Sequence, residues 1–396
     1  MAVALSRGGR KVSFLKTVTT GCSTRLLIFL VLGVLLPGAC ISAAESSEPP
    51  AEPVLPMVRA MGGACTAVAE DQNAIFTNPA GYALVEDGIV SLFTIGIRIN
   101  VDPSALKIYE ALLSGTDVTS PENIDDYFSN TTLTQGIVGP FQFGRVGNNF
   151  GFSFFNNYDA VLTTQPGGTI PSARVQVYSD LGLVGGYGFP LPILDNLYGG
   201  FNFKVILRAK AEMEGTIIAV IDTLSDPDTI PVAKAIGFGG DLGLLYLPAP
   251  WCTIGVAAKD FFGTRFTGWE TLTSSGTPFP SSMIPPRIAV GVAFHPAFAS
   301  GGKEGPGRVK DFVVAVDYAN LLDFSPFFAN VKAGMSLTTL RVLNLRIGLD
   351  GGYFTGGVGL DFKTTRIDLA YFVEELGAYP GSRPAQNMML NFAVRW

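Results

Sequence analysis

The chain is 396 residues long, 47% of them apolar, with a mean hydropathy of +0.34 and a formal net charge of −6. A chain this apolar must first be tested for helical membrane spans, and only one stretch comes near qualifying. The acidic balance excludes nucleic acid as a partner class.

That stretch is Leu26–Leu36, short for a span and preceded by Arg7, Arg10, Lys11, Lys16 and Arg25. With the small-residue site Ser42-Ala43-Ala44 ahead of Glu45, it reads as a secretory signal peptide over residues 1–44, cleaved after Ala44. An uncleaved anchor, or a lipoprotein site at Cys40 weakened by Pro37, are lesser readings. Removing residues 1–44 leaves 22 basic against 33 acidic residues, a net charge of −11. It also leaves only Cys65 and Cys252, too few for a disulfide scaffold or a thiolate metal cluster; they either pair or stay as buried thiols.

The next segment is marked by punctuation rather than periodicity. Between Arg59 and Ala83 stand a Gly62-Gly63-Ala64 turn, the acidic pair Glu70-Asp71 and then Asn78-Pro79-Ala80-Gly81. Gly62 and Gly63 permit tight backbone turns, and Asn78-Pro79 favours a turn that ends any local helix. This pattern resembles the plug segment of FadL-type outer-membrane long-chain fatty acid transporters and of their PorV-like and uncharacterised spirochaetal relatives. The resemblance is close over residues 59–83 and loose beyond them. It implies that residues 45–87 form a plug, or hatch, that folds into the lumen of a barrel and closes it. Gly62, Gly63, Asn78, Pro79 and Gly81 make up the plug motif, of which Asn78, Pro79 and Gly81 would shape the plug-to-barrel junction or take part in gating.

From Gly88 onward the periodicity is two. Ile89, Ser91, Phe93, Ile95, Ile97 and Ile99 fall on one face, and Val90, Leu92, Thr94, Gly96, Arg98 and Asn100 on the other. The same pattern recurs at about 136–146, 149–163, 172–189, 197–214, 234–247, 252–265, 286–295, 309–320, 329–338, 342–351, 353–363, 366–376 and 387–396. Turn residues such as Gly147-Asn148 separate the segments. An even number of such strands predicts an all-β fold: a 14-stranded antiparallel transmembrane β-barrel over residues 88–396, because hydrocarbon tolerates no open sheet edge. A soluble β-sandwich would need a polar exposed face, which the last strands lack.

Connection lengths agree. Counting the first strand as rising outward, the external loops are 101–135, 164–171, 215–233, 266–285, 321–328 and 377–386, and the inner turns 147–148, 190–196, 248–251, 339–341 and 364–365. Two joins break the pattern: 296–308 is long for an inner turn, and Gly351-Gly352 is short for an outer one. Both ends of the mature chain are expected on the periplasmic side. In the last strand, Met388, Leu390, Phe392, Val394 and Trp396 share one face. This ending resembles the signal by which barrel-assembly machinery recognises its clients, with Phe392, Val394 and Trp396 as its core.

Catalytic and metal chemistry find little to work with. His295 is the sole histidine, at a strand end beside Pro296, and the Gly-rich pieces lack the Lys-Ser/Thr of a phosphate loop. No enzymatic activity, metal or cofactor is expected. Alternation places Asn202, Lys204, Arg208 and Lys210 inward on the fifth strand and Arg174, Gln176 and Tyr178 inward on the fourth, with Val175, Val177 and Leu181 outward. Arg174, Lys204 and Arg208 are candidates for an anionic head group, their nearest strand carboxylates being Asp180 and Glu212; neutralisation by Glu70 or Asp71 of the plug is the competing account. Arg346, Asp361 and Asp368 fall inward and are expected to pair.

Two functional classes follow. One is an outer-membrane channel, reached through a cleaved signal peptide, for passive uptake of long-chain fatty acids or other small hydrophobic molecules. Its partners would be that ligand, outer-membrane lipids and the assembly machinery. The other is a structural or interaction protein of FadL-like shape, a secretion partner or surface antigen, with a closed lumen. An apolar pocket with one or two basic groups favours the first, and a lumen filled by ion pairs favours the second.

Overall fold

Strands that alternate apolar with polar residues are satisfied in a bilayer only when each pairs on both sides. The computed structural model describes residues 46–396 apart from 70, 86–87, 121, 167–169, 274–277, 297–310, 324–325 and 378. The signal peptide, its cleavage site, Cys40, Glu70 and most of the 296–308 connection lie outside the described residues. Among the described residues fourteen strands form one antiparallel ring. They are β1 (Ile89–Asn100), β2 (Thr132–Val138 continued by Phe143–Gly147), β3 (Phe150–Gln165), β4 (Ser172–Pro190), β5 (Leu197–Thr216), β6 (Val232–Ala249) and β7 (Cys252–Lys259 continued by Thr264–Thr271). The rest are β8 (Ser282–Ile284 continued by Arg287–Phe294), β9 (Asp311–Tyr318), β10 (Val331–Thr339), β11 (Leu343–Asp350), β12 (Tyr353–Asp361), β13 (Thr365–Glu375) and β14 (Pro384–Arg395).

The ring closes where β14 meets β1, with Leu390 opposite Ile97 and Phe392 opposite Ile95. Val90 and Trp396 exchange backbone hydrogen bonds of 2.8 and 2.7 Å at the foot of this seam. The outer wall is hydrocarbon: Ile97, Leu183, Phe203, Phe238, Leu349 and Leu390 are exposed, while their strand neighbours Arg98, Val184, Lys204, Gly348 and Met389 are buried. Phe392 and Trp396 lie on that outer face. Replacing both with polar residues is therefore expected to abolish the compact, heat-modifiable form on gels while leaving secreted protein; normal heat-modifiable migration of the double variant would refute it.

Three strands are interrupted. β2 breaks between Val138 and Phe143, around Pro140, β7 between Lys259 and Thr264, and β8 at Pro285-Pro286. Proline removes a ladder donor, so two of these breaks follow from composition. The β7 and β8 breaks face each other: Lys259 still pairs with Arg287 below them and Thr264 with Ile284 above. The short join at Gly351-Gly352 is a true two-residue hairpin, both glycines at positive φ (58° and 96°), as the twist of the flanking strands requires.

Two expectations are corrected. A register shift between Val394 and Arg395 opposite β1 marks a bulge, leaving Leu92 and Phe93 both exposed and burying Ser91. Ser91 thus does not share the face of Phe93. Val175 faces away from the lumen as expected, yet protein covers it rather than lipid. The connection helices Pro103–Leu113, Ile124–Phe128 and Ile217–Ser225 pack Ile108, Phe128, Ile217 and Val220 over it. Apart from the hairpin at Gly351-Gly352 and the connection between Phe294 and Asp311, the long connections share one end of the barrel, here the loop end, and the short ones the other, the turn end.

Candidate functional site

Residues 46–85 run down the lumen. Ser46–Ser47 lie parallel to Ser282–Met283 of β8, and Glu48 N donates to Met283 O at 2.9 Å. Ser282 is at the loop end of its strand and Arg395 at the turn end of β14. The described chain thus begins in the loop-end half, opposite the C-terminus, which corrects the expectation of both ends on one side. The first stretch, 46–55, is an extended strap with Pro49, Pro50 and Pro53.

The five positions singled out in the plug motif all meet the wall or each other. Gly62 and Gly63 have φ of 64° and 82°. Gly62 lies against the carbonyls of Leu349 and Ala333, Gly63 against Lys332, so a side chain at either would be strained and obstructed. Asn78 is fully buried. Its Nδ2 donates to Thr66 O (2.9 Å), Leu244 O (3.2 Å) and Val256 O (3.3 Å), and its Oδ1 accepts from Ala80 N (3.2 Å). One side chain thereby ties two parts of the plug to β6 and β7 and caps the 3-10 turn Pro79–Ala83. Gly81 abuts Ala69, and the Tyr82 hydroxyl donates to Asn202 Oδ1 at 2.8 Å. The wall yields to this turn at Gly200, beside Pro79, and Gly243, beside Asn78, where a Cβ would collide.

The inward cations are placed as alternation predicts, but they are not without partners. Arg208, fully buried, grips Asp180 through Nε (2.7 Å) and Nη2 (2.8 Å) and reaches Glu48 at 3.3 Å. Lys210 meets Glu48 at 3.0 Å and Glu212 at 3.2 Å. Lys204 Nζ sits among Glu52 (2.8 Å), Asp241 (2.9 Å) and Asp260 (2.7 Å). Those three carboxylates are close enough together to hold a metal ion, and the Lys204 ammonium takes that position. Arg174 pairs with Glu212 at the cavity rim and is half exposed. The premise that Arg174, Lys204 and Arg208 face the lumen unneutralised is therefore corrected.

The competing account holds in kind, though Asp71 is not the residue that meets these cations and Glu70 lies outside the described residues. The plug does neutralise Lys204 and Arg208, through Glu52 and Glu48 of the strap. Asp71 instead binds Arg366 (3.4 Å) and Arg395 (3.3 Å) near the turn end. Burial opposes the charge on Glu52, yet Lys204, Lys259 and Arg287 hold its carboxyl well below the usual range. Sequence reasoning missed Glu48 and Glu52, whose only signal was two acids set among prolines. Arg346 pairs with Asp368 at 3.0 Å as expected, while Asp361 pairs with Arg395. Cys65 and Cys252 are buried and form no disulfide.

Two cavities flank the plug. The larger, about 1020 Å³, opens at the loop end over the strap; Val54, Leu55, Phe76 and Val161 form apolar parts of a lining that is otherwise rich in charge, with Arg98, Arg174, Arg287, Lys332, Asp350 and Glu374 among it. A smaller one of about 260 Å³ lies toward the turn end, bordered by Met57, Met61, Arg346 and His295. His295 thus has a cavity to face, but no catalytic triad is assembled around it among the described residues.

No family model matches the chain, and no curated protein matches it. Among solved structures it is similar to the Pseudomonas putida toluene transporter TodX: 14% identity, TM-score 0.46, covering 87% of this chain and 98% of that one. Similarity to the monoaromatic hydrocarbon channel CymD gives 13% identity, a TM-score of 0.48 and coverage of 86% and 96%. A Pseudomonas aeruginosa FadL homologue matches at 12% identity and TM-score 0.44, with 89% and 99% covered.

Proposed function

We propose that this chain is a FadL-type channel of the outer membrane, passively admitting long-chain fatty acids or other small hydrophobic molecules through a barrel closed by its N-terminal plug. The observation that carries this reading is the loop-end cavity. Its volume of about 1020 Å³ suits a single-chain lipid, it opens toward the long connections, and the plug forms its floor. Below the floor, Thr94, Gln142 and Phe143 at the interruption of β2 border a further narrow space beside Asn73 and Phe76 of the plug. That interruption offers a way out of the lumen sideways once the plug shifts. Ligand would enter from the loop end, dwell on the plug and leave through or beside it.

The closed-lumen reading also has an observation in its favour: the ion pairs of Lys204, Arg208 and Arg59 join plug and wall across the lumen. Uptake separates the two. Cells carrying the protein in place of their own lipid channel should accumulate labelled oleate or toluene several-fold faster than cells without it. No gain for either compound, with surface expression verified, would leave the structural reading standing.

A further inference from the structure

The wall facing the strap has more positive than negative charge. Lys204, Arg208, Lys210, Lys259 and Arg287 are set against Asp180, Asp241 and Asp260, an excess of two; at the exposed rim above them Arg174 is met by Glu212 and Glu214. The two missing charges are Glu48 and Glu52. Each of these cations would keep a wall carboxylate without the strap, but the wall would be left with uncompensated positive charge in a poorly hydrated lumen, so an anion that takes a strap carboxylate's place favours its departure.

The two glutamates are not equivalent. Glu48 is sealed, whereas Glu52 and Arg287 both border the loop-end cavity. Glu52 also serves its notch incompletely. It reaches Lys204 at 2.8 Å and Lys259 at 2.9 Å, but Arg287 only at 3.5 Å and through Nη2, and Arg287 Nε has no hydrogen-bond partner among the described residues. The strap's backbone limits where this carboxylate can go. A carboxylate on a free chain has no such tether and could take Nε and Nη2 of Arg287 together, the stronger two-point geometry.

We propose that Lys204, Lys259 and Arg287 form a carboxylate site for the head of a single-chain amphiphilic acid, with Glu52 occupying it in cis as a stand-in. Ligand binding and release of the strap around Glu52 are then one exchange of carboxylates, while Glu48 keeps its place on Arg208 and Lys210. The prolines favour it: they keep the strap extended, and its only described backbone ladder is the short one to Ser282–Met283. A neutral hydrocarbon of the same length fills the cavity without displacing anything. The inference rests on the channel reading for the ligand's access from the loop end, and it names the ligand class that reading leaves open.

The test uses the full chain in detergent with a nitroxide on Val54→Cys, beside Glu52 at the cavity, titrated with oleate and with oleyl alcohol at neutral pH. Oleate should mobilise the label and the alcohol should not. Glu52→Gln should tighten oleate binding by about tenfold and Arg287→Gln weaken it by about as much, with alcohol binding unmoved in both. Oleate binding with an immobile label, or equal effects of acid and alcohol, overturns the proposal on the parent protein alone, whether or not the charge variants assemble. Exchange without uptake by cells would sink the channel and keep the site; uptake of acid with an immobile strap would do the reverse.

Discussion

Arg208→Met should lower barrel stability by roughly 3–5 kcal/mol, because removing one partner of a buried ion pair leaves the other charge in low dielectric. Few groups in the lumen are so enclosed. The guanidinium is fully buried, with Tyr178 and Phe266 rings 5.0 and 5.1 Å away, two bonds to Asp180 and one each to Glu48 and the Pro49 carbonyl. Methionine keeps much of the volume and loses every donor. The readout is the temperature at which the folded, fast-migrating form is lost on gels. Adding Asp180→Asn should restore a large part of the difference, since the orphaned carboxylate goes with it. A single variant that melts like the parent would show that the pair contributes nothing net.

The second large effect is expected at Asn78. Alanine there removes the donor shared by the Thr66, Leu244 and Val256 carbonyls and the acceptor for Ala80 N, at about 1–3 kcal/mol for each buried group left unsatisfied. Because two of those bonds, to Leu244 and Val256, run between plug and wall, the loss should register as leak: conductance in planar bilayers several-fold above the parent. Pro79→Ala is the control: it keeps all four Asn78 bonds while freeing the backbone and removing ring carbons packed at Gly243, so it should lower stability without raising leak as far. Equal, low conductance in parent and Asn78→Ala would mean that the plug is held elsewhere.

The strands could be read from sequence because a lipid-facing wall writes itself every second residue, as Phe201, Phe203, Val205 and Leu207 do against Asn202, Lys204 and Arg208. The bulge at Leu92 could not, since one inserted residue reverses the alternation of what precedes it without changing composition. Direction was legible for the lumen cations, and partnership was not. Arg208 and Glu48 are separated by 160 positions, and Lys204 and Glu52 by 152. No local pattern links a strand residue to an acid in a proline-rich leader. Asn78 stood out through its proline, yet its bonds to Leu244 and Val256 depend on glycines such as Gly243 that are ordinary in a barrel sequence.

The seam between β1 and β14 joins the first strand of the chain to the last, and the plug that lies within the ring precedes β1. A ring already zipped shut would have to be threaded lengthwise by the strap, carrying two charged glutamates past a lumen lined with opposite charge. Docking before closure avoids that passage. The plug then serves as the form around which the wall is wound, with Gly200 and Gly243 as the grooves that receive it. Faults in the plug accordingly act on the order of assembly as well as on the tightness of the finished pore.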